Sequence, residues 1–222
     1  MAFFRRVRRY TEGAMALHWL VALGIAFLFI HGFRMMDIPA DERLHELNVH
    51  RSVGVLVFVL VLIRIWWRLD HPPPALPMPP FLAAIAHFVH FLIYVLLVVN
   101  GIAGSVGWVA SGDPIVLFGM DVAGERTPWP RLNHLCIMIG LATARVLLVA
   151  VAVHVLAVIK HEVFDRDRTL ERMLPGPAIV VPLRPREIIE RMRERRRKRR
   201  QQQAAAKAGE QSPAATDSPP AD

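Results

Sequence analysis

Two imidazoles in this chain stand where water is scarce. His18 lies near one end of a first apolar run, in ALHWL, and His154 near the matching end of a last one, in HVLAVIKH. Each run is long enough to cross a bilayer, where a ring nitrogen finds no water and needs another partner. A haem iron is such a partner. Held between two helices it takes one neutral imidazole from each, satisfying nitrogens whose unpaired burial costs a few kcal/mol. A hydrogen bond between helices is the other outcome open to either residue. Two imidazoles at matched depth on the first and last apolar segments point to haem.

The other histidines, out of ten in all, read differently. At about 100° per residue, His161 projects to nearly the same face as His154, two turns on and at the rim. His50 opens the second apolar segment from the outer side, where an interfacial residue has access to water. His87 and His90 share a face near the inner end of the third, within reach of a propionate, a quinone carbonyl or a neighbouring helix. His31, His45 and His134 lie at or beyond the outer interface, and His71 sits in a Pro-rich loop. Arg145 is mid-span, where a lone guanidinium is expensive, so it should face protein, a propionate, a quinone headgroup or a water-filled pocket. Eleven positions separate it from His134, which puts the two within about 20° on one face.

The elements that must position these residues follow from the composition. Hydrophobic residues make up 54% of the 222 positions and the net charge is +8, so apolar and cationic residues must be segregated along the chain, as in a polytopic membrane protein with charged ends. The single cysteine, Cys136, lies in an apolar run, which excludes a disulfide framework and a thiolate metal site, so redox work needs a cofactor. Four apolar segments, about Ala14 to Phe33, Ser52 to Leu69, Phe81 to Gly104 and Leu135 to Ile159, each have roughly the 17 to 25 residues of a membrane-spanning helix. Prolines in DHPPPALPMPP end the second helix in a short extended connection. The fold class expected is all-α: a four-helix membrane bundle spanning residues 14–175.

An even number of spans puts both termini on one side. Arg5, Arg6, Arg8 and Arg9 precede the first span, Arg64 and Arg68 close the second, and Lys160, Arg166, Arg168 and Arg172 follow the fourth, whereas the opposite loops mix Arg34, Arg43, Arg126 and Arg131 with seven carboxylates. The positive-inside bias places both termini in the cytoplasm. Residues 1–13 read as a basic cytoplasmic N-terminus retained ahead of an anchored first helix, because no small-residue cleavage site follows. Residues 176–203, including PREIIERMRERRRKRRQQQ, read as a basic amphipathic segment lying along an anionic leaflet, a lipid partner and not a nucleic acid. The tail, 204–222, has the composition of a disordered segment.

Several motifs together carry a resemblance. ALHWL, NVHRSVG, RIWWRLDHPPP, AHFVHFLIYVLL, SGDPIVLFG and HVLAVIKHEVFDRDRTLERMLP, in that order from about Arg9 to Pro175, resemble the bacterial cytochrome b561 family. The resemblance implies a multi-pass protein of the bacterial inner membrane that binds b-type haem and exchanges electrons with a quinone pool, with superoxide oxidation in one branch. The wider superfamily includes membrane cytochrome subunits of hydrogenases and formate dehydrogenases. Carried over residue by residue, His18 matches the first-helix ligand, His50 the second-helix ligand, His154 the inner ligand of the fourth helix, and His161 a further family histidine. Arg64 and Arg68 read as inner-leaflet anchors that also pair with propionates or a quinone.

One ligand departs from the family pattern. The outer ligand of the fourth helix is expected fourteen residues before the inner one, and that position is Gly140. Fourteen residues is about 21 Å of rise and returns to within about 40° of the same face, so one helix can serve two stacked haems. His134, twenty residues from His154, projects to nearly the opposite face of a straight helix. The outer haem is then absent, or held by His50 with His134, Cys136 or Met138, or by His50 with His31. The expected activity is electron transfer between a donor, superoxide or a redox partner protein, and quinone, with one inner haem and a second in question. A cytochrome anchor subunit of a dehydrogenase or hydrogenase, and a haem-free membrane scaffold, are the rivals.

Overall fold

The computed structural model describes residues 4–7, 9–39, 42–72, 79–165, 169–176, 179–182, 188–189, 192–194, 196–198 and 200–203. The chain divides into two units, Arg8–Pro177 and a smaller one made of Met1–Val7 with Ala178–Asp222. In the smaller unit β1 (Phe4–Val7) pairs antiparallel with β4 (Ile179–Pro182). The sequence predicts no strands here, because two four-residue segments so far apart in the chain leave no local hairpin signal. The described parts of 188–203 are helical. The expected disordered tail, 204–222, and most of the Pro-rich loop lie outside the described residues.

The larger unit is built from α1 (Glu12–Arg34), α2 (Arg43–Asp70), α3 (Pro80–Ser111) and α4 (Pro130–Lys160). All four are long and apolar enough to cross a membrane. Their surfaces agree: Leu23, Val149 and Leu156 are each more than 60% exposed, a pattern that suits a lipid solvent. Local chemistry sets the starts. The hydroxyl of Thr11 accepts from the Ala14 backbone N–H at 3.3 Å and caps α1, while Pro80 and Pro130 occupy first turns, where a missing N–H costs nothing. Gly112, with φ of +83°, ends α3 in the left-handed region.

The helices run past the apolar segments that reveal them. The second begins at Arg43 and not Ser52, so His50 lies inside α2 instead of at its mouth. The polar turns RLHELNVHR continue a helix whose apolar half is already formed, and helix propagation is far cheaper than nucleation. Between α3 and α4 the loop folds into a hairpin, β2 (Ile115–Leu117) and β3 (Met120–Ala123), turned at Phe118 and Gly119, both at positive φ. The buried Ser52 hydroxyl ties it to α2. It donates to Asn48 and Val116 carbonyls and accepts from the Phe118 N–H.

Around the bundle, α1 packs on α2, α2 on α3, and α3 most extensively on α4, whereas α1 and α4 stay largely apart. Val21, Ile25, Val57, Val61, Leu96, Leu97, Leu147 and Ala150 form the core. Close approach of α1 to α2 requires Gly24, since a Cβ there would collide with Val57. The aliphatic layer separates two ends. The basal end holds the start of α1 and the end of α4; the distal end holds the β2–β3 hairpin.

Candidate functional site

At the basal end His18 on α1 faces His154 on α4, with ring centres 6.4 Å apart and planes at 80°. These are the two helices that leave a gap between them. Among the described residues neither ring makes a hydrogen bond. Two imidazoles on opposite sides of one iron, each bonded at about 2 Å, have ring centres about 6 Å apart. The His18–His154 pair fits that spacing, and its free ring nitrogens fit the chemistry.

His90 on α3 comes nearer to His154, 5.0 Å between ring centres, too near for an intervening iron. Its Nδ1–H donates to the Ala86 carbonyl, as that of His87 does to Ala83. The sequence places His90 on the right face but cannot show that it packs against the α4 imidazole. His161 begins a π-helical turn after α4 and bonds Asp165 at 3.0 Å.

The arginines of α2 line the same end. Arg64 donates through Nε to the Tyr94 hydroxyl at 2.9 Å and through Nη1 to the Ala14 carbonyl at 3.1 Å, one helical turn from His18. Arg64 and Arg68 both lie over the Tyr94 ring, at 6.0 and 5.8 Å. Tyr10, Trp67 and Met173 complete a small crevice with these residues. Trp67 also donates to Thr11 at 3.0 Å, and Trp19 to the Met173 carbonyl at 2.8 Å. Tyr94 and Trp67 do not stand out in the sequence, because aromatic residues near a membrane interface are common for reasons unrelated to a site.

The distal end is arranged differently. His50 on α2 lies 5.8 Å from His31 on α1, with rings inclined by 30°. His31 donates through Nε2 to Glu46 at 2.7 Å, and the buried Nδ1 atoms of both His31 and His50 lack a partner. Gly140 is on the α4 side, and a Cβ built there would meet nothing within 4 Å.

Helical phase sorts the remaining α4 candidates. Cys136, Thr143, Leu147 and Ala150 project within about 40° of His154. Of these, Cys136, Leu147 and Ala150 are buried, and Thr143 accepts a hydrogen bond from Asn100 of α3 at 2.8 Å. Cys136 is pressed against α3, its Cβ 3.1 Å from where a Gly107 side chain would begin. His134, Met138 and Arg145 point about 160° to 180° away from His154, and all three are exposed. The structure therefore does not bring His134 to His50: α4 is one continuous helix from Pro130 to Lys160, and His134 is exposed on the face turned away from His154. Nor does it bring Arg145 to either histidine pair, so the propionate or quinone contact considered for it has no geometry here.

The model of a family described as prokaryotic cytochrome b561 matches residues 9–176. Among curated proteins, "Cytochrome b561 homolog 2" of Escherichia coli is 32% identical over 186 residues, covering 78% of this chain and 95% of that one. "Probable superoxide oxidase CybB" of Yersinia pestis is 27% identical over 174 residues, covering 76% and 97%. "Cytochrome b561 homolog 1" of Escherichia coli is 23% identical over 173 residues, covering 76% and 98%.

Proposed function

We propose a specific role for this chain, which belongs to the prokaryotic cytochrome b561 family: it carries single electrons to quinone through one haem b held by His18 and His154. Membership makes it a multi-pass inner-membrane b-type cytochrome; the ligands, the haem count and the quinone are our reading. The observation that carries it is the 6.4 Å spacing of two unbonded imidazoles across the gap between α1 and α4. Haem, when bound, supplies a one-electron iron couple.

The chain's own residues do the rest. His18 and His154 would hold the haem iron, and His90, packed against the His154 ring at 5.0 Å, restricts its rotation. Arg64 and Arg68 present positive charge beside the site, where they would hold a propionate or a quinone oxygen by charge-assisted hydrogen bonds. The aliphatic core keeps water away on the distal side. From the arginine asymmetry we place the basal end, and so this site, at the cytoplasmic face.

Superoxide as the electron donor is a second reading, favoured by the name of the Yersinia pestis relative. Against it stands Gly140, which leaves α4 without a distal imidazole on the face of His154, so we favour a redox partner protein. Pyridine haemochrome quantification on purified full-length protein tests the whole reading. One haem per chain is expected. A colourless protein prepared in mild detergent with haem supplied would favour the scaffold alternative.

A further inference from the structure

The outer face of α4 carries a cation at the wrong depth for lipid. Arg145 lies midway between Pro130 and Lys160, about 22 Å of helix from either end, and half the hydrocarbon thickness is about 15 Å, more than an arginine side chain spans. It is exposed, and it points about 120° to 180° away from the α4 residues that pack on the bundle, Cys136, Leu147, Ala150 and Val151. Among the described residues it makes no hydrogen bond, ion pair or ring contact. Around it on the same face lie Met138, Leu141, Val149 and Leu156, all at least half exposed. Charged residues at mid-membrane are rare and almost always face a protein interior or a water-filled cavity. Among the described residues nothing packs over Arg145 to supply a protein interior.

We infer that this face of α4 docks the transmembrane helix of a different protein, one bearing an aspartate or glutamate at the depth of Arg145. Charge complementarity selects that occupant. A second copy of this chain brings no counter-charge: the only carboxylates in its four spanning helices are Glu12, Glu46 and Asp70, all near helix ends, and α3 and α4 have none. The flat aliphatic surface on either side of Arg145 supplies the van der Waals contact that membrane helices use for association, with the buried ion pair fixing register. The inference is independent of which histidines hold haem, because the docking face lies on the opposite side of α4.

A photo-crosslinking residue in place of Leu141, one turn from Arg145, tests it in the membranes of cells expressing the full chain. The expected product is a heterologous adduct to a membrane protein with a carboxylate in a spanning segment. Its yield should fall at least tenfold in Arg145→Leu and Arg145→Gln, persist in Arg145→Lys, and return when Arg145→Glu is combined with lysine at the partner's carboxylate. Haem content, read by absorbance, reports whether each variant has folded. Adducts only to lipid, to a second copy, or to a protein without an intramembrane carboxylate would overturn the inference. So would a yield indifferent to all the Arg145 variants that retain haem.

Discussion

The two ends of the bundle hold similar side chains in different frames. At the basal end the paired imidazoles come from α1 and α4, helices separated by a gap, and neither ring is hydrogen bonded among the described residues. At the distal end His31 and His50 come from α1 and α2, which pack directly on each other, and His31 is tied to Glu46. The basal pair comes from two helices that barely touch each other, whereas the distal pair sits where two helices already meet. Charge differs as well. Among the described residues Arg64 and Arg68 form no ion pair beside the basal pair, whereas Arg51 at the distal end is paired with Asp113 at 3.0 Å. What makes a ligand site is the space between the helices that carry the residues, more than the residue type.

The largest effect expected from this contrast is in the basal imidazoles proposed as haem ligands. His18→Ala or His154→Ala should each abolish the same component of the reduced-minus-oxidised spectrum, by loss of an axial bond in an apolar site. His31→Ala and His50→Ala should leave it nearly intact. If both basal variants kept the full spectrum, the assignment of the two ends would be reversed or wrong.

Next in size is an attempt to turn the distal end into a basal one. The open space around Gly140 allows an imidazole there to face the distal interior, so Gly140→His should raise the haem-to-chain ratio from about one towards two. A wild-type ratio near two would redirect attention to His31 as the partner of His50, and His31→Ala would then remove the second haem.

A smaller effect tests the charge difference. Arg64→Gln removes a positive charge one turn from His18 and should lower the haem midpoint potential by roughly tens of millivolts, because the lost cation had favoured the reduced state. Tyr94→Phe, which only frees the guanidinium, should shift it less. A potential unmoved by Arg64→Gln would place that side chain away from the haem.

Much of this contrast is legible in the amino-acid sequence. Hydropathy locates four spans because runs of about twenty apolar residues seldom occur outside membrane helices, and the phase of α4 puts Gly140 on the face of His154 and turns His134 away from it. The family resemblance supplies His50 as a ligand position, and the structure adds that its nearest imidazole is His31. The β2–β3 hairpin is hidden because SGDPIVLFG carries only a short apolar run before its turn, too few residues to show alternation. Arg145 stands out in the sequence as misplaced, yet the inward contact expected of it does not form. Sequence gives its angle relative to His154, and only packing shows that α3 and the core lie on the His154 side.

The smallest effect concerns how the distal end is closed. Asp113 follows α3 and anchors the hairpin loop. Partial burial works to raise its pKa, but hydrogen bonds from Ser111 at 2.9 Å and Arg51, with the charges of Arg51 and Arg126, outweigh it and hold the carboxyl below its ordinary value. A carboxylate held low in the folded state stabilises that state above the ordinary carboxylate pKa, and the contribution disappears as pH falls through the depressed value. The Asp113 side chain is 38% exposed, so solvent screening keeps the contribution within about 1 kcal/mol. Acidification below about pH 4 should therefore speed amide exchange in residues 113–126 while leaving the spanning helices protected. Asp113→Asn should show the faster exchange already at neutral pH and lose most of its acid dependence. Equal acid sensitivity in wild type and Asp113→Asn would mean that another group closes the distal end.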